Sequence, residues 1–143
     1  MHRFVNTLTL LVLIDLWWRA VSILKRLPQK IPIHFDIFGR PDNWGSRWMI
    51  FLLPLIAAVI AVTFLIGIAR PGQVQTPGSL TGPERLPVSC LMLVIAIGFT
   101  FINRRIVDCA LGVTDGLGKL FLPVFLAAVL GISGWLSISG GRK

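Results

Sequence analysis

Residues 48–69 read WMIFLLPLIAAVIAVTFLIGIA, an uncharged run in which only Thr63 carries a polar side chain. About twenty apolar residues in a helix cross the hydrocarbon of a bilayer. A helix is the expected form because lipid offers no partners to backbone N–H and C=O groups. A barrel strand would alternate with period two, and this run does not. Three further apolar stretches flank it: Phe4–Leu24, Leu86–Ile102 and Leu120–Ser139. Leu86–Ile102 is the shortest and leaves room for extension into its flanks. The first opens with only Arg3 as a positive charge and continues into Trp17, Trp18 and Arg19. Without a small-residue cleavage site, it reads as a retained helix and not as a signal peptide.

Composition points the same way. Hydrophobic residues make up 55% of the 143 residues and charged residues 14%, well below the roughly 25% charged that soluble domains carry. The expectation is an all-α membrane protein, a compact four-transmembrane-helix bundle forming one integral domain over residues 1–143. The net charge of +8 does not indicate nucleic acid, because the basic residues lie between and beside apolar runs and not on one soluble face. They fit topology signals and attraction to anionic headgroups. The implied partner is the lipid bilayer. The apolar helices and the connecting loop also admit a membrane-protein or peptide partner, or a homo-oligomer.

The connections differ in character. Residues 70–85, RPGQVQTPGSLTGPER, are rich in Pro, Gly, Ser and Thr and read as a flexible linker. Residues 103–119 hold Asn103, Arg104 and Arg105, then IVDCALGV as a candidate short interfacial helix, then a Thr-Asp-Gly turn. In this reading Arg104 and Arg105 anchor the end of the third helix at the headgroups. Cys90 and Cys109 fall near opposite membrane faces, too far apart for a disulfide at about 1.5 Å of helical rise per residue. The face with residues 25–47 and 103–119 carries eight Lys and Arg against five on the other, which favours the first as cytoplasmic.

Residues 25–47 form the most informative connection. Pro28 and Pro32 disfavour helix before them. Ile31, Ile33 and Phe35 alternate with Pro32, His34 and Asp36, so one side is apolar and the other bears an imidazole and a carboxylate. Gly39, Pro41, Asp42, Asn43 and Gly45 supply turn chemistry, and Ser46 stands ready to cap the second helix. The expectation is a structured extended-and-turn loop folded as a lid on one membrane face. The residues placed in its ligand-binding or structural set are Pro32, His34, Asp36, Gly39, Pro41, Asp42, Trp44, Gly45 and Arg47. For His34, Asp36 and Asp42 two readings stand open: a pH-sensitive or metal-binding cluster, or side chains that hydrogen-bond the loop's own turns. Three weak donors fall short of a defined zinc set, so no metal is assigned.

The string LPQKIPIHFDIFGRPDNWGSRWMIFLLPLI (27–56) closely resembles the family of bacterial membrane domains of unknown function numbered 1648. That domain also forms the N-terminal part of SdpI-type immunity and signalling proteins. The resemblance runs over residues 27–54, about a fifth of the chain, through Leu27, Pro28, Ile31, Pro32, Ile33, His34, Phe35, Asp36, Gly39, Pro41, Asp42, Trp44, Gly45, Ser46, Arg47, Leu53 and Pro54. Trp44 and Arg47 stand where Tyr or Phe and Lys are commoner. The sequence has four apolar stretches and no counterpart of the SdpI C-terminal half. The resemblance implies a multi-pass protein of the bacterial cytoplasmic (inner) membrane, acting in ligand or peptide sensing or in immunity through the 27–47 loop.

The first helix carries Asp15 four residues before Arg19, on one helix face. A charge at that depth costs about 3 kcal/mol unless it is paired or hydrated. An internal ion pair is one reading. An ion or proton pathway, or a polar contact to a partner helix, is the other, and it gives the alternative function of a small transporter or channel subunit. An accessory subunit of a larger membrane complex is a third. Pro54 and Pro123 fall near helix starts, and Ala127 and Gly131 form a small-xxx-small pair. With His2 and His34 as the only histidines, and with no Ser-His-acid set, glycine-rich phosphate loop or Cys-His cluster, no enzyme and no cofactor are expected.

Overall fold

The computed structural model describes residues 2–69 and 85–140. In chain order it contains α1 (His2–Ile23), β1 (Lys30–Phe35), β2 (Pro41–Ser46), a 3-10 turn (Arg47–Phe51), α2 (Leu52–Ala69), α3 (Arg85–Ala110) and α4 (Phe121–Gly140). Four helical stretches are long and apolar enough to cross a membrane: His2–Ile23, Arg47–Phe64, Leu86–Ala110 and Phe121–Ile138. This supports a multi-pass membrane protein. Apart from Arg85, the linker expected over 70–85 lies outside the described residues.

The class is helical with a small sheet, a correction to all-α. β1 and β2 pair antiparallel, with Ile31 opposite Gly45, Pro32 opposite Trp44 and Phe35 opposite Pro41. Two strands alone are marginally stable in water, and here the hairpin is fastened from below. Ala20 of α1, Leu27, Ile31, Ile50 and Ile106 of α3 form one buried cluster, flanked by Ile23, Ile33, Phe35, Phe51, Ile102 and Val107. The main core of the molecule therefore lies at the hairpin end, where four elements converge.

The third helix is the second correction. The expected stop at Ile102 and the separate interfacial helix merge into one α3 of 26 residues. Its length of about 39 Å exceeds the roughly 30 Å of hydrocarbon. Polar residues mark where hydrocarbon ends, but a helix ends only where its backbone is interrupted. Here that point is Gly112, at φ +73°. Gly112 N–H donates to Cys109 O at 3.1 Å and Val113 N–H to Asp108 O at 2.8 Å, the paired bonds of a Schellman cap. Asn103, Arg104 and Arg105 thus lie within the helix. Asn103 is 2% exposed, and its Nδ2 donates to Ile50 O at 3.0 Å, tying α3 to the 3-10 turn. Cys90 and Cys109 both sit on α3 as free thiols.

The helices suit lipid. Thr9, Ser22, Thr63, Thr100 and Ser133 each donate to the carbonyl four residues back, so these hydroxyls find partners without water. Pro54 and Pro123 occupy the third position of α2 and α4, as Pro87 does in α3, where a missing N–H breaks no helical bond. In α3, 39% of the best membrane window is buried, and in α4 none is. α3 is the central post. α4 leans on it where a Cβ at Gly98 would come within 2.2 Å of the Phe125 ring. Phe101 and Phe121 stack beside that approach at 4.6 Å. A Cβ built on Gly131 meets nothing within 4 Å among the described residues. Trp17, Trp44 and Trp48 gather at the hairpin end, with Trp17 and Trp48 each about 6 Å from Phe51. Tryptophan favours the membrane–water boundary.

Candidate functional site: the hairpin and the α1–α3 groove

The hairpin combines buried residues that hold it with exposed ones that it presents. Ile31 is fully buried, and so is Pro32, which alternation alone had placed on the polar side. Gly45 leaves room for Ile33, whose side chain would stand 2.9 Å from a Cβ there. Arg47 N–H donates to Gln29 O at 2.9 Å and closes the open end. Ser46 caps the 3-10 turn through Trp48 N–H, at 3.5 Å.

Asp36 organises the tip. Its Oδ1 accepts from Phe38 N–H at 2.9 Å and Arg40 N–H at 2.8 Å, while Asp36 N–H donates to Arg40 O. A carboxylate satisfying its own turn is an Asx-type arrangement. His34 turns the other way, and its Nδ1 lies 2.6 Å from Asp42 Oδ1 on an exposed surface. The three residues therefore split into a turn and a cross-strand pair. Among the described residues, no group of three or more His, Cys, Asp or Glu side chains could hold a metal ion.

Gly39, at φ +78°, is pressed against the α3–α4 connection. Leu117 N–H donates to Gly39 O at 2.8 Å. A Cβ on Gly116 would strike Gly39 O at 2.0 Å, and one on Gly39 would meet Gly118 O at 3.0 Å. This backbone-on-backbone junction locks the tip to a second loop. The hairpin presents apolar side chains: Ile37 is 73% exposed, Phe38 59% and Trp44 48%. Pro41 opens β2.

On α1, Asp15 and Arg19 pair with Nε to Oδ2 at 2.7 Å. Arg104 Nη2 of α3 approaches the same oxygen at 3.8 Å. The three charges sit where two grooves meet between α1 and α3, one of about 750 Å³ at the hairpin end and one of about 510 Å³ beside it. Arg105 lies with its guanidinium over Phe101 at 5.8 Å.

Sequence reasoning missed Asn103, Arg104, Gly116 and Gly118 as structural partners of the site. The Gly-Leu-Gly spacing after Thr-Asp was a visible signal for a tight turn. What that turn would touch was not visible.

Residues 10–58 match the family described as Domain of unknown function (DUF1648). The match runs from the middle of α1 through the hairpin into α2, further on both sides than the 27–54 stretch that carries the resemblance. An uncharacterized protein of the archaeon Archaeoglobus fulgidus is 32% identical over 59 residues, covering 41% of this chain. Those residues span about a third of that relative's length (32%). No solved structure matches the chain.

Proposed function

With residues 10–58 carrying the DUF1648 domain, we propose that the chain is a non-enzymatic receptor of the bacterial cytoplasmic membrane. Its hairpin recognises a membrane-active peptide or similar amphipathic ligand, in sensing or in resistance. The observation that supports this reading is the exposed apolar surface of an anchored hairpin. Leu27, Ile31 and Pro32 are buried and hold the hairpin, while Ile37, Phe38 and Trp44 stand in the open. Ordering apolar side chains outside a core is costly unless something covers them. A rigid platform of exposed aromatics lowers the entropy cost of binding. The His34–Asp42 pair adds a polar contact on the same exposed hairpin. An ion path through Asp15 is disfavoured, because Arg19 already pairs with that carboxylate at 2.7 Å.

The test is survival of a sensitive bacterial host expressing the chain and challenged with a membrane-active antimicrobial peptide. The wild type protects. Phe38→Ala with Trp44→Ala, both at exposed positions, lowers protection about tenfold, as loss of buried aromatic anchors does at interfaces. Equal protection by the double variant would remove the hairpin from the mechanism.

A further inference from the structure

The grooves between α1 and α3 form a single two-part feature. The larger, at the hairpin end, is lined by Arg19, Arg26, Arg104, Asp15, Asp108 and Trp18. The smaller runs toward the earlier residues of both helices, between Leu11, Val12, Ile97 and Phe101. Both include Asp15, Arg19 and Arg104, so a charged compartment opens directly into an apolar one. α1 and α3 rise in the same direction from the face opposite the hairpin, which puts the charged part at the headgroup level and the apolar part in the hydrocarbon.

The charges are not spent on one another. Asp15 is engaged by Arg19, but Arg104 reaches it only at 3.8 Å, beyond hydrogen-bond distance. Among the described residues, Arg26 and Asp108 have no ion-pair partner within 4.0 Å. Guanidinium donors suit a phosphate diester. A free carboxylate one helical turn beyond Arg104, about 6 Å along α3, suits an ammonium group and repels a second anion.

We propose that this groove binds an aminophospholipid. Its phosphate sits against Arg26 and Arg104, its primary ammonium donates to Asp108, and an acyl chain lies along Val12 and Ile97. Inorganic phosphate would satisfy the arginines alone and leave the apolar compartment and Asp108 without a role.

Native mass spectrometry of the purified full chain in detergent tests this, with phosphatidylethanolamine, phosphatidylcholine and phosphatidylglycerol of matched acyl chains, and inorganic phosphate as competitor. Phosphatidylethanolamine is retained about tenfold better than phosphatidylcholine, whose trimethylated head has no N–H to donate, the factor expected for one charge-assisted hydrogen bond. Asp108→Asn erases that preference and leaves phosphatidylcholine binding unchanged. Arg26→Gln, at an exposed position beyond α1, weakens every lipid without disturbing the core. Ile97→Trp, which fills the apolar groove, does the same, whereas Val124→Trp on the exposed side of α4 has no effect. Equal retention of the three lipids, preference for phosphatidylglycerol, displacement by inorganic phosphate, or indifference to both Arg26→Gln and Ile97→Trp would each overturn the proposal.

Discussion

Asp36 and Asp42 stand six residues apart on one hairpin, yet their carboxylates do different work. Asp36 accepts two backbone N–H groups, and Asp36→Ala should cost about 1–3 kcal/mol by orphaning both donors. Asp42 holds an exposed imidazole, and Asp42→Asn should change stability by less than about 1 kcal/mol. Thermal unfolding of the two variants in the same detergent separates them, and equal losses would contradict the division. Gly39→Ala belongs with the costly change, at about 1–3 kcal/mol in the same assay, because φ is +78° and Gly118 leaves no slack. Gly39 was legible in the sequence as a turn glycine. Gly116 was not, because its constraint comes from a carbonyl 77 positions away in the chain, and no local pattern carries that information. Asn103 escaped for the same reason: beside two arginines it reads as surface, and only the approach of Ile50 O makes it a buried tie.

The hairpin and the last turns of α3 form one unit at the scale of elements. Ile31→Ala removes a fully buried side chain from the cluster it shares with Ala20, Leu27, Ile50 and Ile106. It should cost about 2–5 kcal/mol and expose residues 30–46 to limited proteolysis before the helices are attacked. A hairpin no more labile than the wild type's would mean that the cluster does not hold it. α4 depends on a different contact. Gly98→Val should push Phe125 away and break the Phe101–Phe121 stack, lowering the unfolding temperature while leaving hairpin proteolysis unchanged. The four apolar stretches were readable because their length answers to bilayer thickness. The extent of α3 was not, because hydropathy reports where lipid stops and not where hydrogen bonding stops.

The whole molecule is an α3 post with α1 and α2 at its side, α4 leaning on it, and a hairpin seated on one end. α1 and α3 rise toward the hairpin and α2 and α4 descend from it, so the hairpin and the α3–α4 connection share one membrane face opposite the start of α1. Labelling single cysteines in sealed vesicles with a membrane-impermeant maleimide tests this arrangement most directly, on a chain with Cys90 and Cys109 replaced by Ala. Asn43→Cys and Asp115→Cys should react from the same side of the membrane and His2→Cys only from the other. Reaction of all three from one side, or of Asn43→Cys and Asp115→Cys from opposite sides, would contradict the account.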